Sequence, residues 1–255
     1  MGMGVEPRVA LVSGGGRGLG AAISLALAGD GFDVAINYRR DEAAARATAL
    51  LVEAMGRRAR IYAASVDDIE ADRAMVDAVL ADFGYVDTFV HSAGIASRGQ
   101  PVVDTDPAEI ERVWRTHAFG AFALCQLLVP SMRTRPRGDV VLISSAATKA
   151  MGGYSSPYNM AKAALEALAH TLAKEELPNG IHVNIVAPGL VDTDMGRRLA
   201  KAVMGAGDDI HSIDGRMPFG HVCSPEEVAD VVAWVVSDAA RYVNNQYIGV
   251  DGGAF

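Results

Sequence analysis

The stretch Val9-Ala10-Leu11-Val12-Ser13-Gly14-Gly15-Gly16-Arg17-Gly18-Leu19-Gly20 decides how the chain reads. It opens on an unbroken apolar run, the pattern of a strand buried on both faces. The glycines follow at once, and the helical run Ala21 to Ala28 follows them. In that order, backbone amides and a helix N-terminus can close on a pyrophosphate that bulky side chains would keep away. Gly14, Gly16, Arg17, Gly18, Leu19 and Gly20 are the contacts expected to a dinucleotide.

The same alternation continues outward. Strands are expected at Val9 to Ser13, Asp33 to Tyr38, Ala59 to Ala63, Thr88 to His91, Val140 to Ser144, His182 to Val186 and Tyr247 to Val250. Helical stretches such as Asp41 to Met55 and Glu70 to Phe83 lie between them, closed by Gly56 and Gly84. Apolar strands alternating with helices give an α/β class, a three-layer doubly wound Rossmann fold with a seven-stranded parallel sheet and helices on both faces. No linker, repeat or low-complexity tract interrupts residues 1–255, so one domain is expected. Two irregular segments follow strands, Gly94 to Asp106 and Asp192 to Arg216. Each is placed either to line a pocket or to stand as a plain loop, and 192–216 is expected to be a substrate-binding lid.

Composition excludes several classes. Half of the 255 residues are hydrophobic, which is too many for a disordered or fibrous chain. A net charge of -8 argues against nucleic acid and anionic membranes as partners. The two cysteines, Cys125 and Cys223, have no metal-ligand spacing, so no metal is expected, and free thiols suit a reducing compartment. No secretory signal precedes Val9, and no apolar run approaches the roughly 20 residues of a membrane-spanning helix. A cytoplasmic location is expected.

The second strand ends Asn37-Tyr38-Arg39-Arg40, where an acid would grip a free ribose 2′-hydroxyl and an arginine would accommodate a 2′-phosphate. Acids arrive only at Asp41 and Glu42, where they complement a helix dipole. Arg39, beside Tyr38, and Arg17 form a candidate clamp for a phosphate. NADP(H) is therefore expected over NAD(H).

Beyond the fifth strand stand Ser144-Ser145 and then Ser156-Pro157-Tyr158-Asn159-Met160-Ala161-Lys162. Ser156 reads as an N-cap and Pro157 as the first helical residue, which puts Tyr158 and Lys162 on one face at i and i+4. A neighbouring ammonium favours phenolate, so the pair suits proton transfer at an alcohol or carbonyl oxygen.

From Val9 to Gly253 the chain resembles the short-chain dehydrogenase/reductase family. Ser13-Gly14, Gly18-Leu19-Gly20, Ser145, Tyr158 with Lys162, Pro188-Gly189, Val191-Asp192-Thr193-Asp194-Met195 and Asp251-Gly252-Gly253 stand in order at the family's spacing. The resemblance implies reversible hydride transfer between nicotinamide and a secondary alcohol or ketone. Ser145 would hold the oxygen, Tyr158 would move its proton, and Lys162 would bind ribose hydroxyls and lower the tyrosine pKa. It also places Pro188, Gly189, Val191, Thr193, Ala93 and Gly94 near the cofactor, Ser65 and Val66 near the adenine, and implies a homotetramer.

The chain departs from the family's pattern at three points. His91-Ser92-Ala93-Gly94 replaces two asparagines, and His91 is expected to be a satisfied core histidine. Ser65 stands where an aspartate is frequent. His117 occupies the place of an active-site asparagine, either joining a proton relay there or standing as a tolerated substitution.

The closest resemblance is to bacterial 3-oxoacyl-acyl-carrier-protein reductases, which would make fatty acid biosynthesis the setting and an acyl carrier protein the partner. Arg133, Arg135 and Arg137 are a candidate docking patch, or else solvated cations at a helix end. A small free ketone, sugar or polyketide-like substrate is the alternative. A dinucleotide-binding regulator without catalysis is a further one, against which the intact Ser145, Tyr158 and Lys162 count.

Overall fold

Strand β1 (Val9–Ser13) is buried along its whole length, and the molecule is arranged around it. The computed structural model describes residues 6–254. Around β1 stand β2 (Asp33–Tyr38), β3 (Ala59–Ala63), β4 (Thr88–His91), β5 (Gly138–Ile143), β6 (Ile181–Pro188) and β7 (Tyr247–Val250). They form one seven-stranded parallel sheet in the order β3-β2-β1-β4-β5-β6-β7. The order reverses between β1 and β4, which opens a crevice at their carboxyl ends.

Helices α1 (Gly18–Gly29), α2 (Glu42–Ala54) and α9 (Pro225–Val235) cover one face. On the other lie α3 (Ile69–Phe83), α5 (Gly120–Met132) and α7 (Ser156–Glu175). Fully buried side chains such as Leu27 under α1 and Leu165 under α7 each contribute roughly 1.5–3 kcal/mol of burial. The expected fold class is the one observed. Gly56 and Gly84 close α2 and α3 at φ values of 78° and 87°, conformations that glycine adopts without strain.

The boundaries differ where polar residues enter strands. β5 begins at Gly138, two residues before the expected Val140, because Asp139 is buried there among Arg8, Arg137 and His182. Ser155, not Ser156, is the N-cap of α7. Ser156 is already helical, and its buried hydroxyl has no partner.

Two segments hold structure that periodicity did not announce. Helix α4 (Pro107–Trp114) runs through a π-turn at Arg115–Phe119 directly into α5. The segment 192–216 folds into α8 (Asp194–Leu199), a second π-turn at Ala200–Met204 and a 3-10 stretch at Ile210–Arg216. Ala200, Ala206, Ile210, Ile213 and Val222 give it a small core of its own. Among the described residues, no helix is long and apolar enough to cross a membrane.

Candidate active site

The glycine turn is shaped first by the chain's own packing. A Cβ on Gly20 would lie 2.2 Å from the Gly14 carbonyl oxygen, and one on Gly16 would lie 2.9 Å from the Ala45 Cα. Gly14 itself sits at φ +64° against Ala93, and its N–H donates to Asn37 Oδ1 at 3.1 Å. Helix α1 then begins with no side-chain cap at Arg17 and no acid in its first turn. Its leading amides are left for an anion. That uncapped, glycine-walled turn fits the pyrophosphate of a dinucleotide.

Other predicted contacts gather at this crevice. Thr193 lies beside Gly18, and its hydroxyl accepts the Gly196 N–H at 3.1 Å to cap α8. Val191 bridges to Cys223, and Gly189 N–H bonds to Val250 O at 3.0 Å. Pro188 ends β6, and Ala93 and Gly94 follow β4. Leu19 lies in the first turn of α1, with Ser65 and Val66 between β3 and α3. The Ser65 hydroxyl is occupied by Asp67. Tyr38 and the exposed Arg39 mark the end of β2. Arg17, expected to share a phosphate with Arg39, instead stands 3.7 Å from Asp194, with both side chains 63% exposed. Asp41 is taken up as the cap of α2, and Glu42 bonds Arg46.

Ser145 follows β5, and Tyr158 and Lys162 project from the first turns of α7. The Ser145 hydroxyl accepts the Ala147 N–H at 3.2 Å. The Lys162 ammonium donates to Ile143 O at 2.6 Å and lies 5.8 Å from the centroid of the Tyr158 ring. Burial pushes Lys162 down to about 7, opposed by Glu166. Burial also pushes Tyr158 upward, and the nearby Ser145 hydroxyl pulls the other way. The expectation that Lys162 would lower the tyrosine pKa is not met, because desolvation outweighs an ammonium that faces Ile143.

Glu166 was not singled out in the sequence. It accepts a hydrogen bond from Ser144 and continues the Tyr158, Lys162 face by one more i+4 step, a spacing that could have marked it.

Two histidines flank the lysine. His117 Nε2 faces both Ile95 N–H, at 3.1 Å, and Ile95 O, at 2.8 Å, while Nδ1 is buried without a partner. Burial and Lys162 hold this ring well below its ordinary pKa, so it is neutral. His91, expected to be satisfied, is satisfied on one side only. Its Nδ1 bonds the Ser13 hydroxyl at 3.0 Å, whereas Nε2 is buried without a bonded partner.

The three arginines offered as a docking patch are engaged elsewhere. Arg133 pairs with Glu176 at 2.5 Å, Arg135 with Asp87 at 2.8 Å and Arg137 with Asp139 at 2.9 Å. They precede β5 at the amino ends of the strands, on the edge opposite the crevice. Buried acids draw them in, which a count of nearby basic residues does not register.

The family described as enoyl-(acyl carrier protein) reductase matches residues 14–254. The chain belongs to the short-chain dehydrogenase/reductase family. It is 33% identical to the versicolorin reductase of Emericella nidulans over 98% of this chain and 97% of that one. A short-chain dehydrogenase of Burkholderia cenocepacia solved with NADP superposes with a TM-score of 0.86 at 36% identity, covering 97% of each chain. An NAD+-bound xylitol dehydrogenase superposes with a TM-score of 0.89 at 27% identity, covering 96% of this chain and 98% of that one. This family member is thus an oxidoreductase of alcohols and ketones with an NAD(P)-binding fold.

Proposed function

We propose that the chain is an NADP(H)-dependent reductase of a free, predominantly apolar ketone. The observation that carries the reading is the Ser145, Tyr158 and Lys162 group, with Lys162 buried and its ammonium 5.8 Å from the Tyr158 ring, beside an uncapped glycine turn. NADPH, when bound, supplies the hydride. Ser145 hydrogen-bonds the carbonyl oxygen and holds it beside the Tyr158 hydroxyl. Tyr158, kept protonated by its burial, gives that oxygen its proton as negative charge develops there. Lys162 holds the ribose hydroxyls. With its pKa near 7 it exchanges a proton readily at neutral pH. His117, neutral, acts by holding Ile95 and the adjoining Gly94 against the cofactor rather than by titrating.

Arg39 supports the choice of NADP(H). It is exposed at the end of β2, and the acids that would grip a free 2′-hydroxyl are occupied with α2 and Arg46.

The rim supports the substrate class. Val102, Val103, Met151, Tyr154 and Phe219 are exposed apolar side chains on segments beyond the carboxyl ends of β4, β5 and β6. Met151, Tyr154 and Phe219 have positive φ angles of 45°, 62° and 57°. Such strain in non-glycine residues is concentrated at functional sites. A thioester on a carrier protein is less well supported, since Arg133, Arg135 and Arg137 are paired and lie at the opposite edge. We assign residues 192–216 as the segment that covers the substrate, and a homotetramer as the assembly.

Initial rates of NADPH and NADH oxidation, measured side by side over apolar ketones, keto sugars and acetoacetyl thioesters, test the reading. Fastest turnover is expected with NADPH and apolar ketones, with a Tyr158→Phe variant inactive. Equal rates in that variant, or preference for NADH, would overturn it.

A further inference from the structure

Strand β5 loses its neighbour on one side before the chain reaches Ser145. Its pairing with β4 ends at Leu142, opposite His91, whereas its pairing with β6 runs on to Ile143, opposite Val186. The Ser144 N–H extends that second ladder to Val186 O at 2.8 Å, and the Ala146 N–H bonds to Pro188 O at 2.8 Å. Within the sheet, the segment that carries Ser145 is therefore supported by β6 alone.

Helix α7 supplies the missing side. The Lys162 ammonium donates to Ile143 O at 2.6 Å, and one helical turn further on the Glu166 carboxylate accepts the Ser144 hydroxyl. Lys162 and Ser144 are only 4% and 3% exposed, so water offers neither a ready replacement. A hydroxyl can only donate to a carboxylate, and such a charge-assisted bond is about twice as strong as a neutral one. The two bonds run from adjoining turns of one helix to adjoining residues of one strand end. A single bond would leave a pivot there, whereas two restrain rotation as well as distance.

We propose that Glu166 is a positioning residue: together with Lys162 it clamps the Ile143–Ser144 peptide to α7 and so sets where Ser145 stands relative to Tyr158. The proposal rests on the reductase reading for its catalytic consequence, though not for the clamp itself. Tyr158, Lys162 and Glu166 follow one another at i, i+4 and i+8, so the helix that carries the proton donor also holds the approach to Ser145. Beyond Ser145 the short helix α6 (Ala147–Ala150) takes over. The Thr148 hydroxyl donates to Ser145 O at 2.9 Å, and the Ala147 N–H donates to Ser145 Oγ at 3.2 Å. Ser145 is thus held from both sides, and only the upstream side depends on Glu166. The same carboxylate opposes the effect of burial on Lys162, favouring the ammonium form of the clamp's other half.

Hydrogen exchange reads the clamp without any turnover. In Glu166→Ala the amides of Ser144 and Ala146 should exchange about tenfold faster than in the wild type, with those of Val140 and Leu142 unchanged. Glu166→Gln, whose amide oxygen still accepts the hydroxyl, should restore the protection. Unaltered exchange at Ser144 and Ala146 in Glu166→Ala would overturn the clamp. In the kinetic arm, Glu166→Ala should lower kcat about tenfold with KM for NADPH unchanged. Glu166→Gln should recover most of that loss, and Ser144→Ala should match Glu166→Ala. The double variant should be no worse than either single one, as expected of two groups acting through one bond. Additive losses, or a loss confined to KM for NADPH, would show Glu166 acting through the Lys162 charge and would overturn the proposal, as would a lower Tm with unchanged kcat. Should Glu166→Ala not fold, Ser144→Ala carries the comparison: faster local exchange with lower kcat supports the clamp, and wild-type values of either remove it. Absence of any ketone reduction by the wild-type protein would sink the reductase reading, leaving the exchange data to decide the clamp.

Discussion

The His117 imidazole stands edge-on to the Tyr158 ring, with centroids 5.3 Å apart and planes at 83°. Behind that contact a single nitrogen faces both polar groups of Ile95, so only one of them can be satisfied at a time. The buried Nδ1 is unpartnered in either tautomer.

A carboxamide has separate donor and acceptor atoms and could answer both Ile95 groups. Removing an unsatisfied buried nitrogen recovers about 1–3 kcal/mol, against about 0.5–1.5 kcal/mol for the lost ring contact. His117→Asn is therefore expected to raise Tm by a few degrees in a thermal melt. Its pH profile should match that of the wild type, because His117 is already neutral. A lower Tm, or a lost limb in the profile, would contradict this account.

On the proposed reading, Arg39 sets the choice between cofactors. One charge-assisted contact to a phosphate is worth about 1.5–3 kcal/mol, or roughly tenfold to a hundredfold in affinity. Arg39→Ala should raise KM for NADPH by that factor and leave KM for NADH nearly unchanged. Arg17→Ala should do less, since Arg17 stands beside Asp194. Equal losses with both cofactors would place Arg39 outside the 2′-phosphate site.

The sheet and the glycine turn were legible because their signals are local. An apolar run, glycines and a helix lie within a few residues of one another, and the Tyr158 to Lys162 step is one helical turn. The π-turn was not legible, since one extra residue in a turn leaves no periodic mark between Trp114 and Gly120. The half-satisfied state of His91 depends on Ser13, a partner distant in sequence. The fate of Arg133, Arg135 and Arg137 was hidden likewise, because their acids come from other strands and helices.

Asp72 lies on α3 with no exposed surface and neither carboxylate oxygen partnered. Burial, with Asp68 and Asp67 nearby, pushes it up to about 7. A carboxyl whose folded pKa is raised favours folding in its protonated form, and that advantage is lost as pH rises from the ordinary aspartate value to about 7. Asp72→Leu should therefore raise Tm most at pH 8 and little at pH 4. A gain independent of pH would assign the effect to packing instead.

Lys162 presents the opposite sign. Its folded pKa is pushed down to about 7 from 10.5, so the charged form is disfavoured by folding, and the full penalty applies below pH 7. Between pH 7 and about 10.5 the unfolded chain still binds the proton that the folded chain has released, so wild-type stability rises with pH. Lys162→Met removes the penalty but leaves Ile143 O without its donor, a loss of about 1–3 kcal/mol. Holding a buried ammonium against a single carbonyl partner is the costlier of the two. The variant is expected to be more stable at pH 7, with an advantage that shrinks toward pH 10, and to have lost turnover. Melts of both proteins across that range, beside NADPH oxidation assays, check the two halves separately. Loss of stability at pH 7 would show that the bond to Ile143 outweighs the buried charge.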